Sequence, residues 1–161
     1  MPVGLLKDIY TSRPYPARLM GVDFGTKTIG LAISNADQTI ATPLQAISRT
    51  KIKSDMQALG NLAKAYEVGG YVFGWPLHMD GSRGASCDRV MSFIDEMSHY
   101  PQELGITPGM DMWIALWDER LSTSAVDDFL IHTADVSRKR RRDVVDKLAA
   151  QHILQGALDS F

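Results

Sequence analysis

The sequence predicts a mixed α/β fold: a five-stranded sheet, an antiparallel meander followed by parallel strands, with helices on both faces. Three observations carry that expectation. Two β-rich runs, residues 19–24 and 28–34, are joined by Gly25-Thr26-Lys27, a hairpin with glycine in its turn. Helical spacing then runs through Met56, Leu59, Leu62, Ala63 and Tyr66. Met112 to Trp117 is a continuous apolar stretch, suited to a central strand buried on both faces. A meander that gives way to alternating strands and helices implies a layered sheet.

The elements follow in order. Residues 1–17 carry Pro2, Gly4, Pro14 and Pro16, with one short helical turn around Leu5 to Tyr10. They read as an extension outside a single domain spanning residues 18–161. A third strand is expected at 40–47, at an edge or with a bulge because of Pro43. The helix over 53–67 is expected to end at Gly69-Gly70. A short apolar strand covers 71–74, a loop runs from Trp75 to Gly84, and a helix follows over 85–99 with Val90, Ile94 and Met97 on one face. Ser122, Thr123 and Ser124 offer N-caps for a helix to about Ile131, and a last helix covers roughly 141–158.

Composition narrows the function classes. The chain has 161 residues, 45% of them hydrophobic and 22% charged, which is globular and not disordered. Cys87 stands alone, so no internal disulfide, zinc ribbon or iron–sulfur site of the cysteine-rich kind is expected. No apolar run reaches membrane-spanning length and the start lacks a signal peptide's pattern, so the expected location is cytoplasmic, with no membrane partner.

Net charge is −2, yet Arg138, Lys139, Arg140, Arg141 and Arg142 are consecutive. Without these five, 12 basic residues face 19 acidic ones. The run is either a solvated face or a contact for a phosphate backbone.

Acids occupy awkward places for folding. Asp23 lies near the end of an otherwise apolar strand, and its alternation partners Gly21 and Gly25 lack side chains. Its carboxylate either caps the hairpin or stands over bare backbone where a metal or phosphate can approach. Asp118 and Glu119 end the strand 112–117, where they serve either as dipole partners of a following helix or at the ligand-binding end of an open sheet. Arg120 comes next and either pairs with one of these acids or holds a phosphate. Asp146 heads the stripe Ala149, Ala150, Ile153, Ala157 on the last helix. A carboxylate aimed at a core needs a partner: a base such as Lys147 or Arg142, or a cation. Three hard oxygen donors without a histidine or cysteine motif suit magnesium or manganese. A pair of such ions would serve phosphodiester hydrolysis.

The runs GVDFGTKTIGLAIS (21–34), FGWPLHMDGSRG (73–84), LWDERLST (116–123) and VSRKRRRDVVDKLAAQHILQ (136–155) resemble the YqgF/RuvX family in order and spacing. The resemblance covers Arg18 to Leu158 and implies a ribonuclease H-like fold related to the Holliday-junction resolvase RuvC. It implies a metal-dependent nuclease, since members are described as resolvases and as nucleases that mature the 5′ end of 16S ribosomal RNA. Carried onto this chain, the acidic site falls on Asp23, Glu119 and Asp146, with Asp118 second to Glu119 in the same motif. Lys27, Arg120 and the run 138–142 become the nucleic-acid contacts. The implied partners are precursor ribosomal RNA in an assembling small subunit, or branched DNA, and the expected state is monomer or homodimer. In the glycine-proline loop the family's usual leucine and asparagine are Trp75 and His78 here.

Two other readings compete. Asp23-x-Gly-x-Lys also resembles the phosphate loop of actin-like ATPases, but these need two related domains around the nucleotide. The other is a non-catalytic RNA-binding or assembly factor on the same fold, which would have no need for Asp146.

Overall fold

The computed structural model of the chain describes residues 3–106, 110–121 and 138–161. Six strands form one sheet: β1 (Val3–Leu5), β2 (Arg18–Phe24), β3 (Thr28–Ser34), β4 (Ala41–Ser48), β5 (Val68–Trp75) and β6 (Trp113–Asp118). Their spatial order is β1-β6-β5-β2-β3-β4. β2, β3 and β4 form the antiparallel meander, and β2, β5, β6 and β1 run parallel. The helices are α1 (Leu6–Ile9), α2 (Ile52–Ala65), α3 (Ala85–Met97) and α4 (Arg138–Asp159). The mixed α/β expectation holds, with one strand more than the five anticipated. The helix expected over 122–131 lies outside the described residues.

The sixth strand comes from the segment expected to lie outside the fold. Val3, Gly4 and Leu5 pair with Ile114, Ala115 and Leu116, Leu6 is buried, and the Trp113 indole N–H donates to the Ile9 carbonyl at 3.2 Å. A three-residue strand is too short to show a period-2 pattern, so only its pairing reveals it. Residues 13–17 are tied down as well. The Gln38 side-chain amide donates to the Ala17 carbonyl at 2.9 Å, and Arg13 Nε donates to Gln38 Oε1 at 3.0 Å.

A second difference concerns Gly69 and Gly70. They do not end α2, whose last turn closes at Tyr66 before Glu67 at φ 54°. Both belong to β5, where a Cβ at Gly69 would lie 2.8 Å from Ala17 and one at Gly70 2.9 Å from the Trp113 ring. They are glycines because neighbours press on the sheet there, not because a helix stops. Pro43 sits on edge strand β4, opposite a register shift between Leu31 and Ala32, as expected of a strand proline.

The sheet's faces follow from alternation. Met20, Val22, Ile29, Leu31, Tyr71 and Phe73 pack toward α2 and α3. Leu19, Ala32, Val72 and Ala115 face α4 through Ala150, Ile153, Leu154 and Ala157. Small residues let α4 approach closely: a Cβ at Gly21 would lie 2.7 Å from Leu154 Cβ and 2.9 Å from the Ala150 carbonyl oxygen. That close seat brings the N-terminal half of α4 over the end of β2.

Candidate active site

Asp23 lies on the α4 face of β2, paired across the hairpin with Gly30. On its other side the Val22–Phe73 register brings Gly74 alongside at the next step. Both flanking positions are thus without side chains, and each receives another acid. A Cβ on Gly30 would overlap the Asp146 carbonyl oxygen, and one on Gly74 would overlap Glu119 Oε1. Strand β2, helix α4 and the 3-10 turn Glu119–Leu121 after β6 therefore deliver three carboxylates to one end of the sheet.

The electrostatics confirm that they feel one another. Burial, and then the Asp146 carboxylate, push the Asp23 carboxyl up to about 6. Burial pushes Glu119 up to about 7, with Asp23 and Asp118 adding to it. Asp146 is held by Thr28, whose hydroxyl donates to Oδ2. The stripe that Asp146 heads buries Ala150, Ile153 and Ala157.

Asp118 is different. Arg120 Nε donates to its two oxygens at 3.0 and 2.8 Å, Nη2 donates at 2.5 Å, and the Arg120 backbone N–H adds a bond at 3.0 Å. These bonds hold its carboxyl below the usual range. Of the two alternatives for Arg120, pairing with an acid is the one realised here, and the pair is bidentate. Its Nη1 also reaches the Met79 carbonyl at 3.5 Å, joining the motif to the glycine-proline loop.

Trp75, expected to open that loop, is instead the last residue of β5, paired with Asp118 and buried in the α3-side core with Arg83 stacked 5.1 Å from its ring centroid. His78 is exposed and closes a turn, donating its backbone N–H to Ser82 at 3.0 Å. Lys27 is exposed on the hairpin, its carbonyl accepting from the Arg49 N–H at 2.8 Å. Arg138 to Arg142 form the first turn of α4, and their side chains lie outside the described part.

Among the described residues no three Asp, Glu, His or Cys side chains surround a single point. The acids are linked pairwise instead, Asp146 to Asp23 and Asp23 to Glu119. Their chemistry nevertheless fits a hard divalent cation: oxygen donors only, crowded and partly desolvated, so that a positive charge relieves repulsion the protein bears alone. Sequence reasoning missed Thr28, Gly30 and Gly74. The signal for the first two was present, because Thr28 and Gly30 alternate on the hairpin strand opposite Asp23. Gly74 becomes visible only once β5 is known to lie beside β2.

The family model RuvX, described as Holliday junction resolvase, matches residues 17–160. A protein of Paramagnetospirillum magneticum named "Putative pre-16S rRNA nuclease" is 46% identical, covering 99% of this chain and 97% of its own. One of the same name from Beijerinckia indica is 48% identical over 99% of this chain and 88% of its own. Among solved structures, T. thermophilus RuvC in complex with a Holliday junction substrate superposes with a TM-score of 0.51 at 10% identity. The superposition covers 89% of this chain and 94% of the other, a likeness of fold.

Proposed function

The chain belongs to the RuvX family and is a nuclease, and from that premise we propose that it cleaves precursor 16S ribosomal RNA hydrolytically near the 5′ end. Asp23, Glu119 and Asp146 are the residues that would hold its divalent cations, magnesium or manganese, with Asp118 beside them. The observation that carries the reading is the pair of glycines flanking Asp23, over which the other two acids are seated. A scaffold has no reason to crowd carboxylates until two of them are pushed up to about 6 and 7.

Held by these acids, a pair of such ions would supply positive charge for the attacking and leaving oxygens of the phosphodiester. The chain's own groups do the rest. Strand β2 fixes Asp23 on a rigid element, so its carboxylate is placed without a loop's freedom. Thr28 orients Asp146 by its hydroxyl. Arg120 occupies the Asp118 carboxylate, so that Glu119 is the acid of this motif that would face a cation. Lys27 and the run 138–142 are the positive charges that would meet the RNA backbone, consistent with binding by charge and not by base identity. Selectivity then falls to RNA shape and to the assembling small subunit, in the cytoplasm, that presents a single-stranded stretch.

Depleting the protein and mapping 5′ ends of 16S rRNA tests the substrate. The expected result is accumulation of 5′-extended precursor, together with metal-dependent cutting of that precursor by the purified protein. The family's description as Holliday junction resolvase favours a second reading, junction resolution on the same acids. Symmetric cleavage of both strands needs a two-fold dimer. Normal 16S ends alongside efficient, symmetric cutting of four-way DNA would establish it in place of the first.

A further inference from the structure

At the carboxyl ends of β1 and β6 an open cavity of about 480 Å³ adjoins the active-site motif, with Asp118 and Arg120 in its wall. Leu6 and Leu77 give it apolar surface, Tyr10 and Trp117 give it aromatic surface, and Lys7 gives it positive charge, while Arg120 stays paired with Asp118 in the same wall. Tyr10 is 44% exposed and the Lys7 side chain is solvent-facing, so both are accessible from outside. The Leu5–Tyr10 part of the wall precedes residue 17, where the family match begins. This wall is therefore a feature of the chain that the family pattern does not describe.

We infer that this cavity is a subsite for one nucleotide of the single-stranded RNA substrate, flanking the scissile phosphate. The inference rests on the nuclease reading above and adds a location and residues to it. Its volume falls in the range of pockets that enclose a small organic ligand. Aromatic surface beside a cation is what an unpaired nucleotide requires: a face for the base to stack on and charge for its phosphate. A purely apolar partner would leave Lys7 unused, and a free anion would leave Tyr10 and Trp117 unused. Asp118 and Arg120, the residues on either side of Glu119 in the chain, line the cavity, so a nucleotide held there borders the motif that carries that acid.

The test uses the full chain and a single-stranded 12-nucleotide oligoribonucleotide. Binding is measured by fluorescence anisotropy in an Asp23→Asn background, and cleavage in the wild-type background with magnesium. Tyr10→Ala is expected to raise Kd and KM by about 5- to 100-fold with kcat within about twofold, and Tyr10→Phe to restore both. Lys7→Glu is expected to weaken binding, and Lys7→Ala to reduce the slope of log affinity against log salt by ~0.7. Lys53→Ala, an exposed cation on α2, is the control expected to change neither. If Tyr10→Ala and Lys7→Glu bind and cut as the wild type does, the subsite is wrong while the nuclease reading stands. If the wild-type chain neither binds nor cuts RNA, both fall together.

Discussion

Glu119 Oε1 occupies the space that a side chain on Gly74 would fill. The glycine on β5 is thus part of how the acid on the turn after β6 is aimed, although it carries no chemistry itself. Gly30 stands in the same relation to the Asp146 backbone on the other side of Asp23. The site is built as much by side chains left out as by side chains supplied.

Gly74→Ala is therefore expected to displace Glu119 and lower cleavage by more than about 100-fold, the scale on which a misplaced reacting group costs rate. The Cβ would also come within 2.7 Å of Ile153 Cδ1, so some loss of thermal stability is expected too. Retained activity in a folded Gly74→Ala protein would show that Glu119 is not needed where it stands. Glu119→Gln, measured beside it, separates loss of the acid from disturbance of the sheet.

Asp23→Asn is expected to abolish most cleavage while stabilising the metal-free protein near pH 7.5. The folded-state pKa of about 6 lies above the ordinary 3.8, so the folded chain binds more protons than the unfolded one between those values. The stability contributed by the protonated acid is present below about pH 4 and lost as pH rises through about 6. Glu119 behaves in the same sense between 4.5 and about 7. Removing the Asp23 charge should return up to about 3 kcal/mol at pH 7.5 without metal. Thermal melts in chelator from about pH 4 to 8 check it: the wild type should lose stability across that window, and the variant should lose less.

Divalent cations should reverse that loss. If the acids hold magnesium or manganese, either ion raises the melting temperature of the wild type at pH 7.5 with a concentration dependence set by its affinity. The shift should shrink in Asp23→Asn and vanish in a variant lacking all three acids. An equal shift in every variant would place the cation elsewhere.

Thr28 is a positioning residue for Asp146, and Thr28→Val removes the hydroxyl while keeping the branched shape that suits a strand. Activity is expected to fall about 10- to 100-fold, as when groups that orient metal ligands are lost, with a higher magnesium requirement and nearly unchanged stability. Thr28→Ser should rescue it. A purely structural role for Thr28 would move the melting temperature and leave the magnesium requirement alone.

The basic run is tested through salt. Replacing Arg140 and Arg141 with alanine should weaken RNA binding and reduce the salt slope by ~0.7 for each single-strand phosphate that is no longer neutralised. Superimposable binding curves across salt concentrations would mark the run as a solvated face.

Much of this protein was legible in its sequence because the signals are local. Alternation placed Asp23 on a strand with glycines around it, and the last helix's small apolar stripe marked Asp146 as facing the sheet. The apolar run before Asp118 and Glu119 marked a central strand's carboxyl end. Each depends on a periodicity of two or 3.6 residues, which the chain carries whatever it packs against. What the tertiary structure alone decided are relations between distant segments. It assigned Arg120 to Asp118, set Thr28 on Asp146 and seated Glu119 over Gly74. It also turned residues 3–5 into a sheet strand and Gly69-Gly70 from a helix stop into a place where neighbours press on the sheet. A strand of three residues has no period to read, and a glycine looks the same in sequence whether it frees a turn or clears a space. Only the partner that comes to fill that space tells them apart.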